Sequence, residues 1–167
     1  MYLKELQIRN YKNFLKERFL FQKGVNVIIG ENDSGKTNLM QAIRLVLDKR
    51  MDWREREISE KMFSESLDNW QGHIIIISLR FAELDTQKEE EAVLRYISGN
   101  KDNEGSLTWF CIPNTETRKG LSECNNVFDL KEKLKDLTIN DYINIITCGA
   151  YVDFLDDKIY ENMVGDL

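Results

Sequence analysis

Proline is almost missing from this 167-residue chain, in which Pro113 stands alone. A stiff proline-rich linker is thereby excluded. The three cysteines, Cys111, Cys124 and Cys148, form no CxxC pair and lie far along the sequence from the sole histidine, His73. Such a set supports neither a disulfide framework nor a zinc site, and it fits a reducing, cytoplasmic setting. No run approaches the ~18 consecutive apolar residues of a membrane-spanning helix, and the first twelve residues contain no signal-peptide core. A membrane partner is not expected. Positive charge is in deficit, with 23 Lys and Arg against 29 Asp and Glu and a net charge of −6. Coating of nucleic acid by bulk charge is excluded, so any DNA contact has to be local.

What is present suits a folded domain: hydrophobic residues make up 42% of the chain, enough for a core at this length. Residues 2–8 alternate partially and residues 16–21 resume the pattern across a turn containing Asn10 and Asn13, which predicts an N-terminal β-hairpin. After Gln22-Lys23-Gly24, the run Val25-Asn26-Val27-Ile28-Ile29 is rich in β-branched residues. It predicts a central strand buried on both faces. Residues 37–48 carry Leu39, Met40, Ala42, Ile43, Leu45, Val46 and Leu47 at helical spacing and around much of the circumference, which predicts a buried helix.

Residues 49–71 are charged and irregular, and residues 73–81 read as a further strand. Thr86 and Glu89 form a capping-box pattern that opens a helix over residues 87–98, ended by Gly99. A strand is expected over residues 107–112 and a polar loop over 114–126. A helix is expected around Leu130, Leu134 and Leu137, and the apolar segment 142–155 fits helix or strand.

The chemistry is concentrated in Gly30-Glu31-Asn32-Asp33-Ser34-Gly35-Lys36-Thr37, which satisfies GxxxxGK[ST] between an expected strand and an expected helix. The glycines let successive N–H groups face inward and form an anion nest at the helix start. Lys36 would reach the β- and γ-phosphates of ATP as a mobile point charge, and the Thr37 hydroxyl would complete the coordination of a phosphate-bound Mg²⁺.

The surroundings narrow the class. The opening Ile8-Arg9-Asn10-Tyr11, the asparagine at position 32 two places after Gly30, and the Asn38-Leu39 pair directly after Lys36-Thr37 resemble the amino-terminal lobe of the RecF/SMC/OLD class of ABC-type ATPases. The spacing to the charged insert and the strand at 74–81, followed by an acidic helix, looks most like the OLD-family ATP-dependent nucleases. That resemblance implies an α/β fold: a P-loop NTPase-type sheet with an N-terminal β-hairpin and flanking helices, forming an incomplete ABC-type ATPase head over residues 1–167. It also implies ATP sandwiched between two heads, so that a second head is a partner, and control of DNA access or cleavage in DNA processing or anti-phage defence. Residues 32–38 would then hold the nucleotide together with Gly30 and Glu31. Lys12 falls where many relatives place a nucleotide-facing arginine, and Asn13 and Phe14 fall where adenine-side contacts form, with Phe14 equally suited to the core.

The resemblance also sets what should follow and does not. No run of four apolar residues precedes an Asp-Glu pair as in a Walker B strand, no signature motif or Q-loop glutamine is assignable, and no Asp-x-Asp of a Toprim nuclease occurs. Asp156 and Asp157 are the nearest acidic candidates, and a solvated helix end explains them as well. The expectation is the Walker A half of a longer ATPase, slow to hydrolyse ATP by itself. Lys49, Arg50, Arg54 and Arg56 around Trp53 are candidates for touching a DNA backbone, although Asp52, Glu55 and Glu57 dilute the charge. Two other classes compete. One is a non-catalytic ATP-responsive module that pairs with a partner chain. The other is a small kinase or GTPase, against which stand the missing arginine-rich lid and the asparagine that ends Asn100-Lys101-Asp102-Asn103 where guanine recognition needs aspartate.

Overall fold

The computed structural model describes residues 1–31, 35–48, 50–51, 59–97, 103–111 and 157–164. Strands β1 (Tyr2–Tyr11) and β2 (Phe14–Leu20) form the expected hairpin, closed by the pair Tyr11 and Phe14. The two-residue loop between them has Lys12 at φ +49°, the left-handed backbone that tight hairpins demand. β1 also pairs with β3 (Ile75–Ala82), and β3 with β4 (Gly105–Cys111), so the sheet order is β2-β1-β3-β4 and every pairing is antiparallel.

Register divides the side chains between the two faces. Leu6 stands opposite Leu79, and Ile8 opposite Ile77, which in turn faces Trp109. All of these are buried, and helix α1 (Lys36–Leu47) contributes Leu39, Ala42 and Leu45 to the same core cluster. The other face carries a polar row: Gln7 pairs with Ser78, whose hydroxyl lies 2.9 Å from that of Thr108. Helix α3 (Asp157–Val164) meets this face at Arg9, whose guanidinium lies 3.8 Å from the centroid of the Tyr160 ring. No helix among the described residues is long and apolar enough to cross a membrane.

Three expectations are corrected. Residues 25–29 are not a buried strand: no strand is assigned there, and Val25 and Ile29 are 93% and 89% exposed. The sheet of described residues, β2-β1-β3-β4, gives this segment no neighbouring ladder, and an extended segment without one has nothing to bury its side chains. Helix α1 is buried along one stripe only, since Met40 and Leu47 are exposed. Helix α2 (Glu89–Ile97) starts later than expected, and its entry is tied by Asp85 and Glu91 instead of Thr86 and Glu89. The Asp85 N–H donates to Glu91 Oε2 at 2.7 Å and the Gln87 N–H to Asp85 Oδ1 at 3.1 Å. The expected loop 114–126, the helix around Leu134 and segment 142–155 lie outside the described residues.

Candidate nucleotide site

The centre of the site is the start of α1. Gly35 precedes it with φ +92°, a left-handed backbone that favours glycine, and no side chain caps the helix. An α-helix leaves its first N–H groups without intrahelical partners, and the first turn here holds no acidic residue. Such donors, with the positive end of the helix dipole, suit an anion. Arg44 in the last turn complements the other end of the dipole and pairs with Asp48 at 3.2 Å.

Lys36 folds back over the loop, and its ammonium donates to the carbonyl oxygens of Gly30, at 2.6 Å, and Glu31. The cation expected to meet the phosphates is thus held on the backbone carbonyls that open the motif. Thr37 is exposed at the helix start. Asn38 turns its amide to Asn13 Oδ1 at 2.8 Å. Asn32, Asp33 and Ser34 lie outside the described residues. No cluster of three acidic, histidine or cysteine side chains suited to a metal occurs among the described residues.

Lys12 stands at the hairpin tip beside the same helix, donating to Gln41 Oε1. Burial lowers its pKa, while the cation lies 5.5 Å from the Tyr11 ring centroid. Phe14 is core, edge-on to Phe19 with ring centroids 5.6 Å apart, so it makes no nucleotide contact. Next to Lys12, Asn13 and Asn38 opens a cleft of about 870 Å³, whose far wall includes Lys61, Phe63 and Trp70. The rings of Phe63 and Trp70 are 5.3 Å apart. The chain returns to this spot through a single bridge between Tyr11 and Phe63 and a hydrogen bond from the Ser64 N–H to the Asn10 carbonyl. Sequence reasoning missed this wall: Trp70 reads from the sequence as a packing residue, and a lone bridge has no periodicity.

The sequence matches the AAA ATPase domain family, AAA_15, over residues 1–163. The chain belongs to that family. Among curated proteins, it is similar to the DNA replication and repair protein RecF of Bacillus thuringiensis (strain Al Hakam) and of Bacillus anthracis (strain CDC 684 / NRRL 3495). Each is 56% identical over 43 residues, which are 26% of this chain. The match spans 12% of the length of those relatives. Among solved structures, it is similar to one from work on ATP-driven dimerization and DNA-stimulated activation of SMC ATPases. The TM-score there is 0.49 at 19% identity, covering 68% of this chain and 64% of the other.

Two of the other candidate groups have assignable positions. Arg50 is exposed, with its N–H on Asp48 Oδ1 at 3.0 Å. Asp157 heads α3 and pairs with Arg9 at 2.9 Å and Lys16 at 2.8 Å, contacts that lower its pKa. Lys49, Trp53, Arg54, Arg56 and Asp156 lie outside the described residues.

Proposed function

We propose that this chain binds MgATP through residues 30–38, as the Walker A lobe of a RecF/SMC-like ATPase acting on DNA. One observation carries the reading: an uncapped helix start, preceded by a left-handed glycine and crossed by a lysine held on nearby carbonyls. On binding, phosphate oxygens replace those carbonyls as the partners of Lys36, backbone N–H groups in the first turn of α1 donate to the phosphate oxygens, and Thr37 supplies the hydroxyl for Mg²⁺. Lys12, at the mouth of the cleft, is a further nucleotide contact in this reading. Hydrolysis would require groups from a complementary lobe and a second head. The place in DNA processing or in OLD-type anti-phage defence, within the cytoplasm, rests on the resemblance.

A second reading, a non-catalytic ATP-responsive module that docks on a partner chain, draws support from the exposure of Val25, Val27 and Ile29 directly before the loop.

Titration calorimetry of the chain with MgATP tests the main reading. Binding by the native chain and its loss in Lys36→Ala, with circular dichroism unchanged, is the expected result. Equal affinity in both proteins would remove the reading. ATP turnover that appears only with a complementary lobe and rises with DNA would favour the ATPase over the interaction module.

A further inference from the structure

We propose that Asn13, at the tip of the hairpin, is a positioning residue for the phosphate-binding stretch. The inference rests on the reading of residues 30–38 as an ATP site.

A single side chain makes two attachments there. Asn13 Oδ1 accepts the Asn38 amide at 2.8 Å. The same amide group fills the notch left by the missing side chain of Gly35: a Cβ at that position would stand 2.2 Å from Asn13 Nδ2 and 3.0 Å from its Cγ and Oδ1. Lys36 and Thr37, the residues assigned to the phosphates and to Mg²⁺, lie between those two anchor points. Glycine at 35 thus suits the φ of +92°, and a Cβ there would push the Asn13 amide out of its seat.

The tip itself is held from behind. The Lys12 N–H donates to the Met62 carbonyl at 2.9 Å, its ammonium reaches Gln41 one turn further along α1, and Tyr11 bridges to Phe63. Behind these stands β1, paired on both sides in the sheet. Asn13 thus ties the first turn of α1 to an interior strand of the sheet. A helix start without a side-chain cap frays, and a ligand that binds it has to order it first. Fixing Gly35 and Asn38 in advance removes part of that cost.

This role differs from an adenine-side contact, and the difference is measurable. MgATP and magnesium tripolyphosphate, which lacks base and sugar, are titrated into the native chain, Asn13→Ala, Asn38→Ala and the double variant. Loss of one hydrogen-bonded brace should weaken MgATP roughly tenfold in Asn13→Ala and tripolyphosphate by about the same factor. Because the two side chains act as a unit, the double variant should bind no worse than Asn38→Ala within about twofold. Asn13 is exposed, so the melting temperature should stay unchanged. If Asn13→Ala does lower it, Asn13→Ser carries the same comparison.

Weakened ATP with undiminished tripolyphosphate binding would make Asn13 a nucleoside contact and overturn the proposal, as would additive losses in the double variant. Unchanged ATP affinity in Asn13→Ala would also overturn it. Absence of MgATP binding by the native chain would instead strike the ATP reading itself.

Discussion

The side-chain amide of Asn10 donates to the hydroxyl of Tyr160 at 2.6 Å, joining residues 150 positions apart. Asn10 sits in a left-handed backbone, φ +58°, and also donates to the Ile74 carbonyl at 2.9 Å. The Ile74 N–H donates to the same Tyr160 oxygen at 3.0 Å, and His73 Nδ1 lies 3.2 Å from it. One phenol thereby fastens α3 to the junction of β1 and β3.

Tyr160→Phe should cost about 1–3 kcal/mol, because the Asn10 amide and the Ile74 N–H both lose a buried acceptor. Urea denaturation monitored by circular dichroism measures this. An unchanged midpoint would show that the hub adds nothing to stability.

A pH effect follows from the same hub. Two donors already occupy the phenol oxygen, so its own proton goes to His73 Nδ1, which must be unprotonated to accept it. Burial and the Arg9 guanidinium both lower the His73 pKa. The folded state therefore favours neutral imidazole. Its contribution is complete above the unfolded value of about 6.5 and is lost as pH falls through the lower folded value. Thermal stability should decline as pH falls below the unfolded value of about 6.5, and His73→Gln should flatten that decline. An equal slope in the variant would assign the effect to other groups.

Gly35→Ala should remove MgATP binding and cost about 1–3 kcal/mol, since a side chain would be forced into a left-handed backbone and against Asn13. Calorimetry and urea denaturation together test it. In Gly35→Ala/Asn13→Gly the steric part of the loss is relieved and the backbone strain remains, so stability should recover only partly.

Within the core, Ile77→Ala should cost about 2–5 kcal/mol, because a fully buried side chain between Ile8 and Trp109 leaves a cavity. By contrast, Val25→Ser and Ile29→Ser should each stay within about 0.5 kcal/mol in this chain, as their side chains face solvent. If a complementary chain covers this segment, the same serine variants should lose its binding in a pull-down while keeping their own stability.

Local chemistry made much of this protein legible before any coordinates. The GxxxxGKT stretch encodes its own helix start, the helical spacing of the apolar residues from Leu39 to Leu47 encodes α1 though not which stripe of it is buried, and alternation in β1 encodes the strand. Each of these signals lies within a few residues of the structure it specifies. The tertiary structure decided the rest. Val25, Val27 and Ile29 have the composition of a buried strand, yet burial needs neighbours, and the sheet places β1 beside β2 and β3 without a ladder for them. Asn13 meets Gly35 and Asn38 only because the hairpin folds its tip onto α1. Phe63 and Trp70 become a wall of the cleft only because one bridge returns the chain to Tyr11. Tyr160 reaches Asn10 across most of the sequence. None of these contacts has a period or a spacing, so the sequence determined the GxxxxGKT motif and the helix it opens, while three-dimensional packing determined what braces and surrounds that helix start.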